Sequence, residues 1–154
     1  MKKKGILAVA MTSVIALGSL FAPVGTSTAS AANESLVTKA MSVLGTPYKW
    51  GGTSKSGFDC SGFLNYVFKG EKVSLPRTAN AMYSKGTPVS RSQLRTGDLV
   101  FFKTSSRAAV THAGMYLGSG RFIHSSSSSG VSINSINDKY YWGSRYVGAK
   151  RVTK

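Results

Sequence analysis

The run NESLVTKAMSVLG sets Leu36, Val37, Ala40, Met41 and Leu44 at helical spacing, with Asn33 or Ser35 as a cap and Gly45 as a stop. It predicts a helix packed on a core. A turn-rich passage, TPYKWGGTSKSG, leads into DCSGFLNYVFKG, where Phe63, Leu64, Val67 and Phe68 mark a second buried helical face that ends at Gly70. A third, short helix is expected in RTANAMYSKG, after Pro76 has fixed the chain. The pattern then changes to short strands, GDLVFFK, HAGMYLG, RFIHSS, GVSINSI and YVGAKRV, separated by Gly, Ser and Asn. Helices first and strands afterwards argue for the α+β class. The serine tract that ends at Gly130 has strands on both sides and reads as a hairpin loop. No internal repeat or separate binding module is visible.

The start of the chain belongs to a different pattern. Lys2, Lys3 and Lys4 precede an apolar run from about Ile6 to Phe21, and Ala29-Ser30-Ala31 supplies small residues suited to cleavage. Residues 1–31 are therefore expected to be a signal peptide, leaving one domain over 32–154 that is secreted and monomeric. The alternative, an uncleaved anchor, is disfavoured because Thr12, Ser13, Gly18 and Pro23 interrupt or follow a short apolar run.

Charge then narrows the partners. The whole chain carries +15, and loss of the three leader lysines leaves about +12 against only five acids. An exported domain this basic suits an anionic surface or cell-wall polymer. Its basic residues are scattered and carry no base-reading signature, so no nucleic-acid partner is expected.

The only cysteine, Cys60, lies in GFDCSGF. A lone thiol in an exported chain is a buried small hydrophobe, half of an intermolecular disulfide, or a reactive group. Asp59 is a good N-cap that would place Cys60 in a first helical turn, where free N–H groups stabilise a thiolate. The charge of Asp59 opposes this, so a nearby imidazolium is needed. Only His112 and His124 can supply one. If GSG (118–120) is a three-residue hairpin loop, Leu117 faces Arg121 and His124 falls opposite Gly114. The two histidines then share a face as diagonal neighbours. Zinc binding by one cysteine and two histidines is a weaker alternative, since no carboxylate lies close and the spacing matches no metal motif. Asp98, in TGDLVFF, reads as a turn former.

Taken together, PYKWGG, FDCSGF, LPRTA, GDLVFF, HAGMYLG and RFIH resemble the NlpC/P60 family of cell-wall cysteine peptidases, across about Leu36 to Val152. The resemblance implies a papain-like fold, N-terminal helices on an antiparallel sheet of five to six strands. It implies hydrolysis of peptidoglycan stem peptides between D-glutamate and the diamino residue, with no metal or organic cofactor. It makes Cys60 the nucleophile, His112 the base and His124 the polar group that orients it. Tyr48 matches an active-site tyrosine, and Asp59 and Ser61 match positions that bind the substrate's free amino end. Arg77, in LPRTA, is a candidate for a substrate carboxylate or for holding a loop, the loop role being preferred. Trp50 is expected to pack the Gly51-Gly52 turn and Gly62 to allow close helix packing. Met82 departs from the family, where glutamine is common. A non-catalytic wall-binding module, or an amidase or acyltransferase on the same fold, are the alternatives.

Overall fold

The computed structural model describes residues 28–154. Residues 1–27 of the expected leader lie outside them. Among the described residues, no helix is long and apolar enough to cross a membrane.

Helix α1 (Thr28–Met41) begins five residues before the expected Asn33 cap. Ala29, Ala31 and Ala32 are strong helix formers, so the helix runs back through them. It also ends before Leu44. The turn after Met41 rotates Val43 into the core, leaving Met41 and Leu44 on the surface in place of the expected continuous stripe. Helix α2 (Cys60–Phe68) matches its expected span, with Asp59 as N-cap accepting from the Gly62 N–H. Its face buries Phe63, Leu64, Val67 and Phe68. The turn before it holds a two-stranded ribbon, β1 (Thr53–Ser54) with β2 (Gly57–Phe58). Gly62 is pressed against that turn: a Cβ there would stand 1.9 Å from the Gly52 carbonyl oxygen. Only a glycine lets the helix start come this close. Helix α3 (Ala79–Met82) is capped by Thr78. Met82 is fully buried in the core.

Six antiparallel strands follow: β3 (Thr87–Val89), β4 (Leu99–Phe102), β5 (His112–Gly118), β6 (Arg121–Ser126), β7 (Gly130–Ser135) and β8 (Tyr146–Arg151). Their order is β3-β8-β4-β5-β6-β7. Strand β3 was not expected, since three residues containing Pro88 carry no strand signal; an edge position tolerates the proline. Both sheet faces are covered, which is why LVFF is buried at every position. Leu99, Phe101, Ala113, Met115 and Ile123 join the helices in one core. Val100, Phe102, Tyr116 and Phe122 form a second cluster with Trp142, which lies on α4 (Trp142–Arg145).

The β5–β6 hairpin reaches the expected register by another route. Met115 pairs with Ile123 and Tyr116 with Phe122, the pairing that sets His124 opposite Gly114. The turn, however, is closed by Gly118 and Arg121 around Ser119 and Gly120, both at positive φ (53° and 73°). That is the geometry of a two-residue turn. A bulge between Tyr116 and Gly118 absorbs the extra residue and restores the face. The serine tract does close a hairpin, with Ser126 paired to Gly130.

Asp98 does more than form a turn. Its buried carboxylate takes the Arg95 N–H at 2.8 Å and a two-point ion pair from Arg151, Nε to Oδ1 and Nη2 to Oδ2, each 2.8 Å. This locks β8 to the turn that starts β4.

Candidate active site

The N-cap at Asp59 places Cys60 in the first turn of α2, at the floor of an open groove of about 540 Å³. The backbone N–H of Ala113, the residue after His112, lies where it favours the thiolate of Cys60. Cys60 therefore lies against the start of β5. Burial pushes its thiol up from the ordinary value, Asp59's charge adds to the rise, and the backbone N–H groups of Ala113, Ser61 and Cys60 oppose it.

His112 and His124 share a face, as the register requires. His112 Nε2 and His124 Nδ1 are 2.8 Å apart, and the rings are perpendicular with centroids 5.0 Å apart. Gly114 makes this approach possible, since a Cβ there would lie 3.0 Å from the His124 Cβ and 2.8 Å from the Ile123 carbonyl oxygen. His124 Nε2 lies 2.8 Å from Asn134 Oδ1 on β7. An amide oxygen only accepts, so His124 Nε2 carries the hydrogen. Its Nδ1 must then accept from His112 Nε2–H, which leaves the lone pair of His112 on Nδ1, the one ring nitrogen still free for a thiol proton.

Trp142 closes the back of the pair. Its ring is tilted on His112 at 5.1 Å and edge-on to His124 at 4.7 Å. Asp138 holds it there by accepting from the N–H groups of Tyr141 (2.8 Å) and Trp142 (2.9 Å). Burial drives both imidazoles down, His112 to about 3 with a further push from His124, and His124 to about 4 despite the Asn134 bond. Burial thus opposes the charged forms of both the thiol and the imidazoles, whereas the sequence alone suggests an imidazolium beside the thiol.

The other expected residues line the groove. Tyr48 is half-buried and bridges to Phe58; burial and the nearby Cys60 and Asp59 raise its phenol. Arg77 donates from Nη1 and Nη2 to the two oxygens of Asp59 at 2.9 and 2.7 Å, and from Nη1 to Ser61 Oγ at 2.7 Å. Burial works against ionisation of Asp59, but the Arg77 pair and the Gly62 N–H outweigh it and lower the carboxyl from its ordinary value. Trp50 does not pack its turn: it is 74% exposed, with the Arg107 guanidinium 5.4 Å over its ring. Sequence reasoning missed Asn134, Trp142 and Asp138. The hint of Asn134 was its alternation with Ser132 in GVSINSI, but its partner depends on the β6–β7 register, His124 opposite Ser132.

The chain matches the NlpC/P60 family over residues 45–151. It is 44% identical over 126 residues to the murein DD-endopeptidase MepH of Escherichia coli (strain K12), covering 79% of this chain and 46% of that one. It is 41% identical over 127 residues to the gamma-DL-glutamyl hydrolase of Bacillus subtilis (strain 168), covering 80% and 31%. Among solved structures, the NlpC/P60 domain of the peptidoglycan hydrolase SagA superposes with a TM-score of 0.66 at 32% identity, covering 77% of this chain and 97% of that domain. The chain thus spans less than half the length of the two curated relatives.

Proposed function

We propose, from the premise that this chain belongs to the NlpC/P60 family, that it is a peptidoglycan endopeptidase acting through a Cys60 thioester. The observation that carries the reading is the linked set at the start of β5: Cys60 against the Ala113 N–H, and His112 with Nε2 committed to His124. His112 Nδ1 takes the thiol proton as sulfur attacks the stem-peptide carbonyl. The Cys60 backbone N–H, at a helix start, faces the charge that develops on oxygen, with Tyr48 beside it. Imidazolium then returns the proton to the departing amine, leaving a thioester. Water that gives a proton to His112 attacks the thioester; the thiol is regenerated and the peptide leaves as an acid. The bond proposed is that between D-glutamate and the diamino residue, the class suggested by the name of the Bacillus relative. The leader and the basic domain complete the proposal: export, then retention on anionic wall polymers that weakens as salt rises.

The test is incubation of the mature protein with purified peptidoglycan, followed by mass analysis of released fragments. Release that survives chelation and is lost in Cys60→Ala and after iodoacetamide is the expected result. Loss with the chelator alone would overturn the thiol mechanism, and no release by any sample would favour a wall-binding module.

A further inference from the structure

Lysines scattered along the sequence are gathered by the fold. Of the ten lysines after residue 31, five fall on the flank where α1, α2 and α3 end and β8 runs: Lys39, Lys69, Lys72, Lys85 and Lys150. Lys39, in the last turn of α1, donates to the Lys69 carbonyl at the end of α2 and holds its ammonium 5.2 Å over the Tyr66 ring. Tyr66 and Lys69 line a hollow of about 520 Å³ that runs on to Val73, Ser74 and Leu75. The same Val73, Ser74 and Leu75 line a second hollow of about 290 Å³, which Lys85 and Arg151 also line. The two hollows are therefore one track. Lys72 precedes Val73 at the join, and Lys150 precedes Arg151 on β8 with its ammonium 4.7 Å over the Tyr83 ring.

The charge of this track is uncompensated. Among the described residues, the ion pairs belong to Arg77 and Arg151, and none of the five ammoniums is in one. Glu71, the acid beside Lys72, lines neither hollow. Gathering like charges raises their mutual repulsion, which a bound polyanion relieves. The track also stands clear of the chemistry. It shares no lining residue with the groove beside Cys60, and the nine residues of α2 set Lys69 about 13 Å from the nucleophile.

We propose that this track is the docking surface for the anionic wall polymer, and that the charges of that polymer are phosphates. Its free cations are all ammoniums, which bind phosphate as point charges and lack the planar two-point match that a guanidinium offers a carboxylate. Arg151, the arginine that lines the track, is committed to Asp98. A polymer lying here leaves the Cys60 groove open, so the enzyme cleaves while it is held. The inference rests on the wall-retention part of the proposed function and gives it a location.

The probe is soluble poly(glycerol phosphate), titrated into the mature protein at fixed salt. Lys69→Gln, Lys85→Gln and Lys150→Gln together are expected to weaken binding about tenfold or more. Lys103→Gln, Arg121→Gln and Lys139→Gln together remove the same charge from exposed positions that line neither hollow, and are expected to weaken it less than about threefold. Equal losses in the two triple variants would overturn the track in favour of a diffuse field. Wild-type binding to phosphatidylglycerol vesicles but not to the polymer would overturn it in favour of a membrane-facing surface. Tighter binding of a polyglutamate of matched charge would overturn the assignment to phosphate. Cleavage of a soluble stem peptide is expected to be unchanged in both triple variants, which also verifies that they fold. A wild-type protein that cleaves nothing, yet binds the polymer and loses it only in the first triple variant, removes the endopeptidase reading and supports the track.

Discussion

Replacing Asn134 by leucine removes the acceptor from His124 Nε2–H and tests whether the imidazole pair works as a directed chain. With Asn134 present, the two 2.8 Å contacts admit one arrangement of hydrogens, and it leaves the lone pair of His112 on Nδ1. Without it, His124 can move its hydrogen to Nδ1, and His112 must then turn Nε2 into an acceptor and protonate Nδ1. That form is no base for Cys60. A neutral hydrogen bond of this kind contributes about 1 kcal/mol, and Asn134 is itself exposed, so water replaces part of the acceptor. The expected loss is therefore about five- to tenfold in kcat, with KM unchanged because the side chain lies outside the groove beside Cys60. Asn134→Asp keeps an acceptor in place and should retain most activity. Steady-state kinetics on a stem peptide, with circular dichroism to verify folding, reads both variants. A leucine variant within twofold of wild type, or an aspartate variant that falls as far as leucine, would refute the chain of hydrogens.

Three further outcomes follow from burial. Trp142→Ala opens the back of the imidazole pair to water, so the pKa of His112 should rise from about 3 toward its ordinary value, moving the acid limb of the kcat/KM profile upward; an unmoved limb would deny Trp142 this role. Stability should fall as pH drops below about 6.5, where unfolded histidines charge while folded His112 and His124 stay neutral until about 3 and 4. The unfolded chain binds the extra protons in that window, giving a slope of up to about 1.4 kcal/mol per pH unit for each histidine, measurable by urea denaturation. Arg151→Met strands the buried Asp98 carboxylate and should cost about 3 kcal/mol of stability without changing kcat of the folded fraction, since the pair lies outside the groove.

The strands were legible because their residues alternate or run apolar between turn formers. HAGMYLG and RFIHSS coincide with β5 and β6 to the residue. The shared face of the two histidines was legible for the same reason, and it survived an error in the turn because the bulge compensates by one position. What stayed hidden depends on long-range placement. Trp142 sits in a four-residue helix, too short for a period, and its seat is set by Asp138 through backbone N–H groups. Arg77 reaches Asp59 across 18 residues, with no local pattern to announce it. Burial is likewise collective, so the downward push on the imidazoles could not be read from the spacing of two letters.

Burial of the pair bears on how this lone thiol persists. Oxidants and alkylating agents attack thiolates, and a thiol held protonated by burial reacts slowly with both. If Cys60 and His112 rest uncharged, the nucleophile forms only as a carbonyl arrives to take the electron pair, and Cys60 is protected between turnovers. Iodoacetamide can test this in the free enzyme. A resting neutral pair gives an alkylation rate that is low at pH 7 and climbs with pH through an inflection above the ordinary thiol value, because burial raises that thiol. A thiolate–imidazolium pair would give a rate already at its plateau near pH 7, and observing that plateau would overturn the neutral resting state. The Trp142→Ala enzyme supplies the matching control. Water admitted behind His112 makes the imidazolium easier to form, so the low-pH alkylation rate should rise as the acid limb of catalysis moves up, and the two shifts should move together.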